Sequence, residues 1–195
     1  QVIRNSLIEK GIEVKYIGSK FGLESAHYRD NSSDVLLLNI RGIQRYLNFE
    51  AILKNILFPY RFLTSYFKAY KFIKKFKPHV VIGTGGYSSG LPLLAAIHQG
   101  IKTVIQEQNS YPGITTRHLA SKVDKICIAY KDVGDYLKKD NLVYTGNPIR
   151  QDICLMDKNK AKKIFSLKNE YPVIAILGGS QGSAPINMYF KKYYR

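Results

Sequence analysis

Short runs of consecutive apolar residues alternate with amphipathic stretches along most of this chain. GIEVKYIG (11–18) and VLLLNI (35–40) have the aliphatic, β-branched character of strands. A long helical pattern follows over roughly 49–77 and is expected to be interrupted at Pro59. HVVIG (79–83), KTVIQ (102–106), DKICIAY (124–130), NLVYTG (141–146) and PVIAILGG (172–179) read as further strands. Between them GLPLLAAIHQG (90–100) reads as a helix closed by Gly100, and PGITTRHLASK (112–122) as one with Pro112 near its start. A short helix is expected up to about Lys139, then a proline-bearing link, NPIRQDI, and a helix over KNKAKKIF (158–165). Several strands are short, continuous and rich in Val and Ile, as strands buried on both faces are. Their alternation with helices predicts an α/β fold, an open, doubly wound, Rossmann-like parallel sheet. Such sheets place their ligands at the carboxyl ends of the strands.

Composition adds two constraints. Hydrophobic residues make up 45% of the 195 residues, enough for a real core and against disorder. Lys and Arg number 30 against 14 Asp and Glu, a formal charge of +16. A surplus that large speaks of nucleic acid, an anionic membrane or phosphorylated substrates, and not of fold. Cys127 and Cys154 match no metal spacing and fit a reducing compartment. The opening residues contain no signal-peptide core. Residues 78–101 carry no formal charge over a span long enough for a bilayer, but their five glycines and two prolines break the run into strand, loop and helix.

Two glycine-rich turns carry the candidate chemistry. GTGGYSSG (83–90) and GGSQGS (178–183) each follow a predicted strand. Glycines let backbone N–H groups approach an anion, and a helix N-terminus behind the loop adds a favourable partial charge. Neither loop is a P-loop, and neither has dinucleotide-binding spacing. Tight strand-to-helix turns alone would also use these glycines; two such loops in one chain favour a diphosphate ligand.

The residues become specific when taken together. VVIGTGGYSSG, IQEQNSYPGITTRHLA, VYTGNPIRQDI and ILGGSQGS occur in that order. In this the chain resembles glycosyltransferase family 28, and within it the two-domain GT-B enzymes that add N-acetylglucosamine to the lipid-linked muramyl-pentapeptide precursor of peptidoglycan. The likeness runs from about Gly11 to Ser183. It implies a GT-B-type sheet incomplete at both ends, with 1–146 an acceptor- and membrane-binding domain and 147–195 a linker and the start of the donor-binding domain. It implies an inverting transfer in which a base activates the muramyl hydroxyl and UDP leaves the donor sugar. Gly85, Gly86, Tyr87 and Ser88 would face the acceptor's diphosphate. Asn109, Arg150, Ser180 and Gln181 would contact the donor, UDP-N-acetylglucosamine, with Glu107 as a supporting polar group. An arginine fork suits a diphosphate. No cofactor and no bound metal is implied. The family's first glycine loop and its histidine have no counterpart here, and the chain is expected to open within the helix after that loop. His27, His79, His98 and His118 do not match that histidine, so no catalytic base is assigned and this chain alone is expected to be inactive. A non-catalytic, membrane-anchoring acceptor subunit of a split GT-B transferase is the competing reading.

The segment 52–77 carries seven basic residues and no acid. Arg61, Lys68 and Lys75 recur every seven residues and share a face, and Phe58, Tyr60 and Phe62 sit in an aromatic cluster near Pro59. This is the composition of an interfacial membrane surface. Together with the resemblance it predicts peripheral attachment to the cytoplasmic face of the bacterial plasma membrane. Nucleic acid is not expected as a partner because no DNA- or RNA-binding motif accompanies the charge; a basic nucleic-acid-binding protein is the third reading, which tight, steeply salt-dependent duplex binding would favour.

Overall fold

The computed structural model describes residues 2–21, 25, 28, 33–40, 56–138, 140–150, 153, 155–168, 170–178 and 182–193. The chain divides into two compact units, Gln1–Arg150 and Gln151–Arg195.

The first unit opens with helix α1 (Val2–Glu9), followed by strands β1 (Tyr16–Ser19) and β2 (Val35–Leu38). Helix α2 (Phe58–Phe76) leads to β3 (Val80–Gly83), α3 (Gly86–Ile97) and β4 (Lys102–Glu107). Then come α4 (Ile114–Leu119), β5 (Lys125–Ile128), α5 (Val133–Leu137) and β6 (Leu142–Tyr144). Every pair among the described strands is parallel. The alternation of strand and helix therefore produces the predicted α/β architecture. The described strands form two sheets, β1-β2 and β3-β4-β5-β6, where the sequence predicted one. Helix α3 packs against both β1 and β3 and bridges the two.

Two apolar clusters meet on α3. Leu93 joins Ile105, Ile126, Ile128, Val133 and Leu137 under the four-stranded sheet. Leu91 and Ala95 join Leu38, Ile40, Ala69 and Ile73 between β2 and α2. Ile105 and Gln106 are consecutive in β4, point to opposite faces and are both buried, so this strand is covered on both sides. The starts of β4 and β5 are tied by Asp124, whose carboxylate accepts hydrogen bonds from Lys102 Nζ (2.8 Å), Thr103 N (2.8 Å) and Thr103 Oγ1 (3.1 Å). Those bonds, the one from Lys102 foremost, hold its pKa down to about 2.

Pro59 does not interrupt a helix. It lies in the first turn of α2, where its missing N–H costs nothing, and the helix continues to a left-handed cap at Lys77. Residues 49–55 of the predicted helix lie outside the described residues. Helix α3 begins four residues earlier than expected, so Gly86, Tyr87 and Ser88 form its first turn and are not a free loop. Gly100, at φ 68°, follows that helix as expected, and Ile101 N donates back to Ala96 O (3.0 Å).

In the second unit α6 (Lys158–Ile164) is capped by Asp157, which accepts from Asn159 N and Lys160 N, and α7 covers Ala184–Tyr193. The strand predicted at 172–179 is corrected: its described residues, 172–178, are irregular, with Ile174 and Leu177 exposed. A strand apolar on both faces needs neighbours for its backbone groups, and no described strand pairs with this one.

Candidate functional site

β3 and β4 lie side by side and both end at the same cleft. Gly83 closes β3 in a place where a side chain does not fit: a Cβ there would meet Leu93 Cδ1 at 2.4 Å. Gly85 and Gly86 then take φ of 87° and 75°, the left-handed region that favours glycine, and turn the chain straight into α3. The first turn of α3 has no capping side chain and no acidic residue. Its leading N–H groups, without partners inside the helix, form the positive end of the helix dipole. Thr115 Oγ1 donates to Gly86 O (3.0 Å) and Gln108 Nε2 to Thr84 O (3.2 Å), fixing the loop from the far side.

At the end of β4 stands Glu107, a buried carboxylate with both oxygens occupied. Oε1 accepts from Asn109 N (3.1 Å) and Asn109 Nδ2 (3.0 Å). Oε2 accepts from Gly113 N (3.0 Å) and Thr116 Oγ1 (2.5 Å). Burial pushes this carboxyl's pKa up, but the bonds from Thr116, Gly113 and Asn109 together outweigh it, and the net shift is downward. The carboxylate therefore stays ionised and holds the 109–116 turn in shape. Asn109 is oriented by it, with its amide oxygen and second amide hydrogen left over for a ligand.

A cleft of about 340 Å³ lies between these parts, lined by the Gly85–Tyr87 turn, Glu107, Asn109 and residues 111–117. Gly85, Gly86, Tyr87, Glu107 and Asn109 are thus brought together at one cleft. Ser88 lies one residue beyond the lining, half-buried in α3. Arg150 is exposed at the end of the first unit and does not line this cleft; Ser180 and Gln181 lie outside the described residues. No described histidine lines the cleft either. His98 Nδ1 pairs with Tyr66 Oη (2.6 Å), His118 Nδ1 with Ile114 O (2.9 Å), and His79 is exposed; His27 lies outside the described residues. No group of three potential metal ligands occurs among the described residues.

One lining residue and one residue that braces β4 beside the cleft escaped the sequence reading. Arg117 lines the cleft from α4, and only its place in a folded helix reveals that. Asn147, read from sequence as linker geometry, accepts from Gln106 Nε2 (3.2 Å) and donates to Gln108 O (3.3 Å). It ties the 145–150 segment to β4 across some forty residues of chain.

The surface of α2 also departs from expectation. Phe58 and Phe62, predicted to meet a membrane, pack on the apolar cluster around Ala69 and Ile73. The outward residues are Ile56, Leu57, Tyr60, Leu63 and Phe67, followed along the helix by Lys68, Lys71, Lys74 and Lys75. Arg61 is half-buried on the flank shared by Lys68 and Lys75. No described helix is long and apolar enough to cross a membrane.

Comparisons with known proteins show the family of this chain. The model of the glycosyltransferase family 28 N-terminal domain matches residues 2–128. The UDP-N-acetylglucosamine--N-acetylmuramyl-(pentapeptide) pyrophosphoryl-undecaprenol N-acetylglucosamine transferase of Flavobacterium psychrophilum is 42% identical over 182 residues, 92% of this chain and 48% of that protein. The Bacillus subtilis protein of the same name is 35% identical over 176 residues, 90% of this chain and 47% of its own. Among solved structures, the crystal structure of Acinetobacter baumannii MurG superposes with a TM-score of 0.56 at 26% identity, covering 77% of this chain and 41% of that one. The chain spans about half the length of the relatives it matches.

Proposed function

The chain belongs to glycosyltransferase family 28, and from that membership we propose that it forms the acceptor-binding half of an enzyme moving N-acetylglucosamine from UDP-N-acetylglucosamine to undecaprenyl-diphosphate-linked N-acetylmuramyl-pentapeptide. The observation that carries this reading is the cleft at the ends of β3 and β4, where the N-terminus of α3 and the Glu107-held Asn109 share one lining. Gly85, Gly86, Tyr87 and Ser88 present backbone donors to the acceptor's diphosphate. Asn109 contacts the donor sugar nucleotide. Arg150, Ser180 and Gln181 act on the donor side, where a guanidinium steadies the charge that grows on departing UDP. The reaction is a direct displacement at the anomeric carbon: the muramyl hydroxyl oxygen forms the new bond, loses its proton to a general base, and the bond to UDP breaks. Glu107 is not that base, because both oxygens already accept hydrogen bonds and its pKa is lowered.

Residues 1–146 serve as the acceptor and membrane domain in this proposal, and 147–195 as linker and first part of the donor domain. The protein sits on the cytoplasmic leaflet as a peripheral partner. Support comes from the outer face of α2, with an exposed apolar half followed by a lysine-rich half. A chimera tests the function. The aligned 182-residue stretch of the Flavobacterium psychrophilum transferase is replaced by the matching residues of this chain, and transfer of labelled N-acetylglucosamine to the lipid acceptor is measured. Transfer is expected, with loss on Asn109→Ala. A folded chimera without transfer sinks the proposal.

A further inference from the structure

Among the charged side chains that line the cleft, Glu107 has both oxygens taken up by its own turn, which leaves Arg117 as the charge a ligand meets. We propose that Arg117 is the cation that grips the diphosphate of the lipid-linked acceptor; this rests on reading the cleft as the acceptor site.

The side chain is held ready for such a ligand. Arg117 Nη1 donates to Tyr111 Oη (3.2 Å), and its guanidinium carbon lies 5.3 Å from the Tyr111 ring centroid. That ring is itself braced edge-on by Tyr136 of α5, centroid to centroid 4.9 Å. A guanidinium held against an aromatic ring keeps its charge and most of its N–H donors while losing part of its rotamer freedom, so less ordering remains to be done on binding. No carboxylate pairs with it among the described ion pairs. The first turn of α3, across the same lining, is free of acids. Two donor sets from two different elements, the α3 backbone and the Arg117 fork, suit two phosphoryl groups better than one.

The rim indicates which diphosphate. Tyr87, Tyr111 and Ile114 line the cleft while remaining 37%, 54% and 38% exposed. Apolar surface beside a phosphate site fits a prenyl chain leaving the diphosphate and gives little to a hydrophilic nucleotide.

The test uses the 195-residue chain and three probes: inorganic pyrophosphate, farnesyl diphosphate and UDP. Binding is followed by calorimetry and by amide shifts of Gly85 and Gly86. Wild type is expected to bind both pyrophosphate and farnesyl diphosphate. Arg117→Ala is expected to weaken both by roughly ten- to a hundredfold, the effect of a lost charged hydrogen bond. Arg117→Lys keeps the charge without the fork and is expected to fall in between; it also carries the test should the alanine variant fold poorly. Lys122→Ala, which removes one exposed charge elsewhere, should bind as wild type does. If both Arg117 variants bind like wild type, or if Lys122→Ala loses as much as they do, the inference is overturned and the cleft reading stands. A loss confined to UDP overturns it in favour of a nucleotide site. If wild type binds none of the three, the cleft reading falls and takes the inference with it.

Discussion

Glu107 faces inward on its own turn, and that decides what its removal does. Glu107→Gln keeps the size but puts an amide N–H₂ against donors that now reach a carboxylate, from Gly113 and Thr116 or from Asn109. A loss of about 1–3 kcal/mol in urea unfolding is expected at neutral pH. The pH dependence has a definite sign. A folded pKa below the ordinary 4.5 means that the carboxylate's contribution is fully present above that value and fades as pH falls through the lower, folded value. The gap between wild type and Glu107→Gln should therefore be constant above about pH 5 and close in acid; a gap that widens in acid contradicts the assignment. Arg150 answers to a different measurement. In the chimeric enzyme, Arg150→Ala should raise the KM for the sugar nucleotide more than that for the lipid acceptor, by the roughly 1.5–3 kcal/mol of a charged contact. An unchanged donor dependence would reduce Arg150 to a linker residue. Glu107 and Asn109 were singled out by the EQN motif of the family resemblance, and the structure adds the hydrogen bonds between them. Arg117 and Asn147 were not legible in the sequence, since their partners depend on the fold: Arg117 must be brought across the cleft by α4, and Asn147 pairs with residues 39 and 41 positions away.

Among elements, α2 shows best what a pattern does and does not disclose. Its basic surplus and its apolar content were plain from residues 52–77, whereas its start at Phe58 and the harmless place of Pro59 were not. Which aromatics turn inward was not, because rings occur all around the helix, at Phe58, Tyr60, Phe62, Tyr66, Phe67 and Tyr70. Packing settles the matter: the buried seam Ser65, Ala69 and Ile73 marks the inner side, so Leu63 and Phe67 look outward while Phe62 looks inward. Leu63→Glu with Phe67→Glu should therefore remove the salt-resistant part of binding to phosphatidylglycerol vesicles and leave the fold intact. Burying these side chains is worth about 25 cal/mol per Å². Lys68→Glu with Lys75→Glu should remove the salt-sensitive part, about 1 kcal/mol per charge near an anionic surface. Vesicle binding unmoved by all four changes, with circular dichroism unchanged, would return α2 to an ordinary solvated helix. Phe62→Glu is the contrasting case and should unfold the first unit before any lipid is added. The stretch 172–178 failed as a strand for a similar reason: apolar runs reveal affinity for a sheet, and pairing still needs a neighbouring strand.

On the scale of the whole chain the buried core is concentrated in the first unit. Lys162, whose Nζ donates to Tyr171 O (2.8 Å), is the buried residue of the second among those described. Shortening the chain to 1–150 should accordingly cost less than about 1 kcal/mol and move the thermal midpoint by under about 4 °C. A much larger drop would mean that 151–195 stabilises the rest. The two-sheet arrangement of the first unit has a further consequence. One helix, α3, touches β1 on one side and β3 on the other, and the same helix offers its first turn to the cleft. Whatever binds there acts as a fastener on a joint. By mass action a ligand at a hundred times its Kd adds about 2.7 kcal/mol to the bound form, and α3 shares that gain between both sheets. Protein with this cleft empty would then be looser at β1 and β2 than protein with it filled, so amide exchange in both strands should slow when a ligand binds.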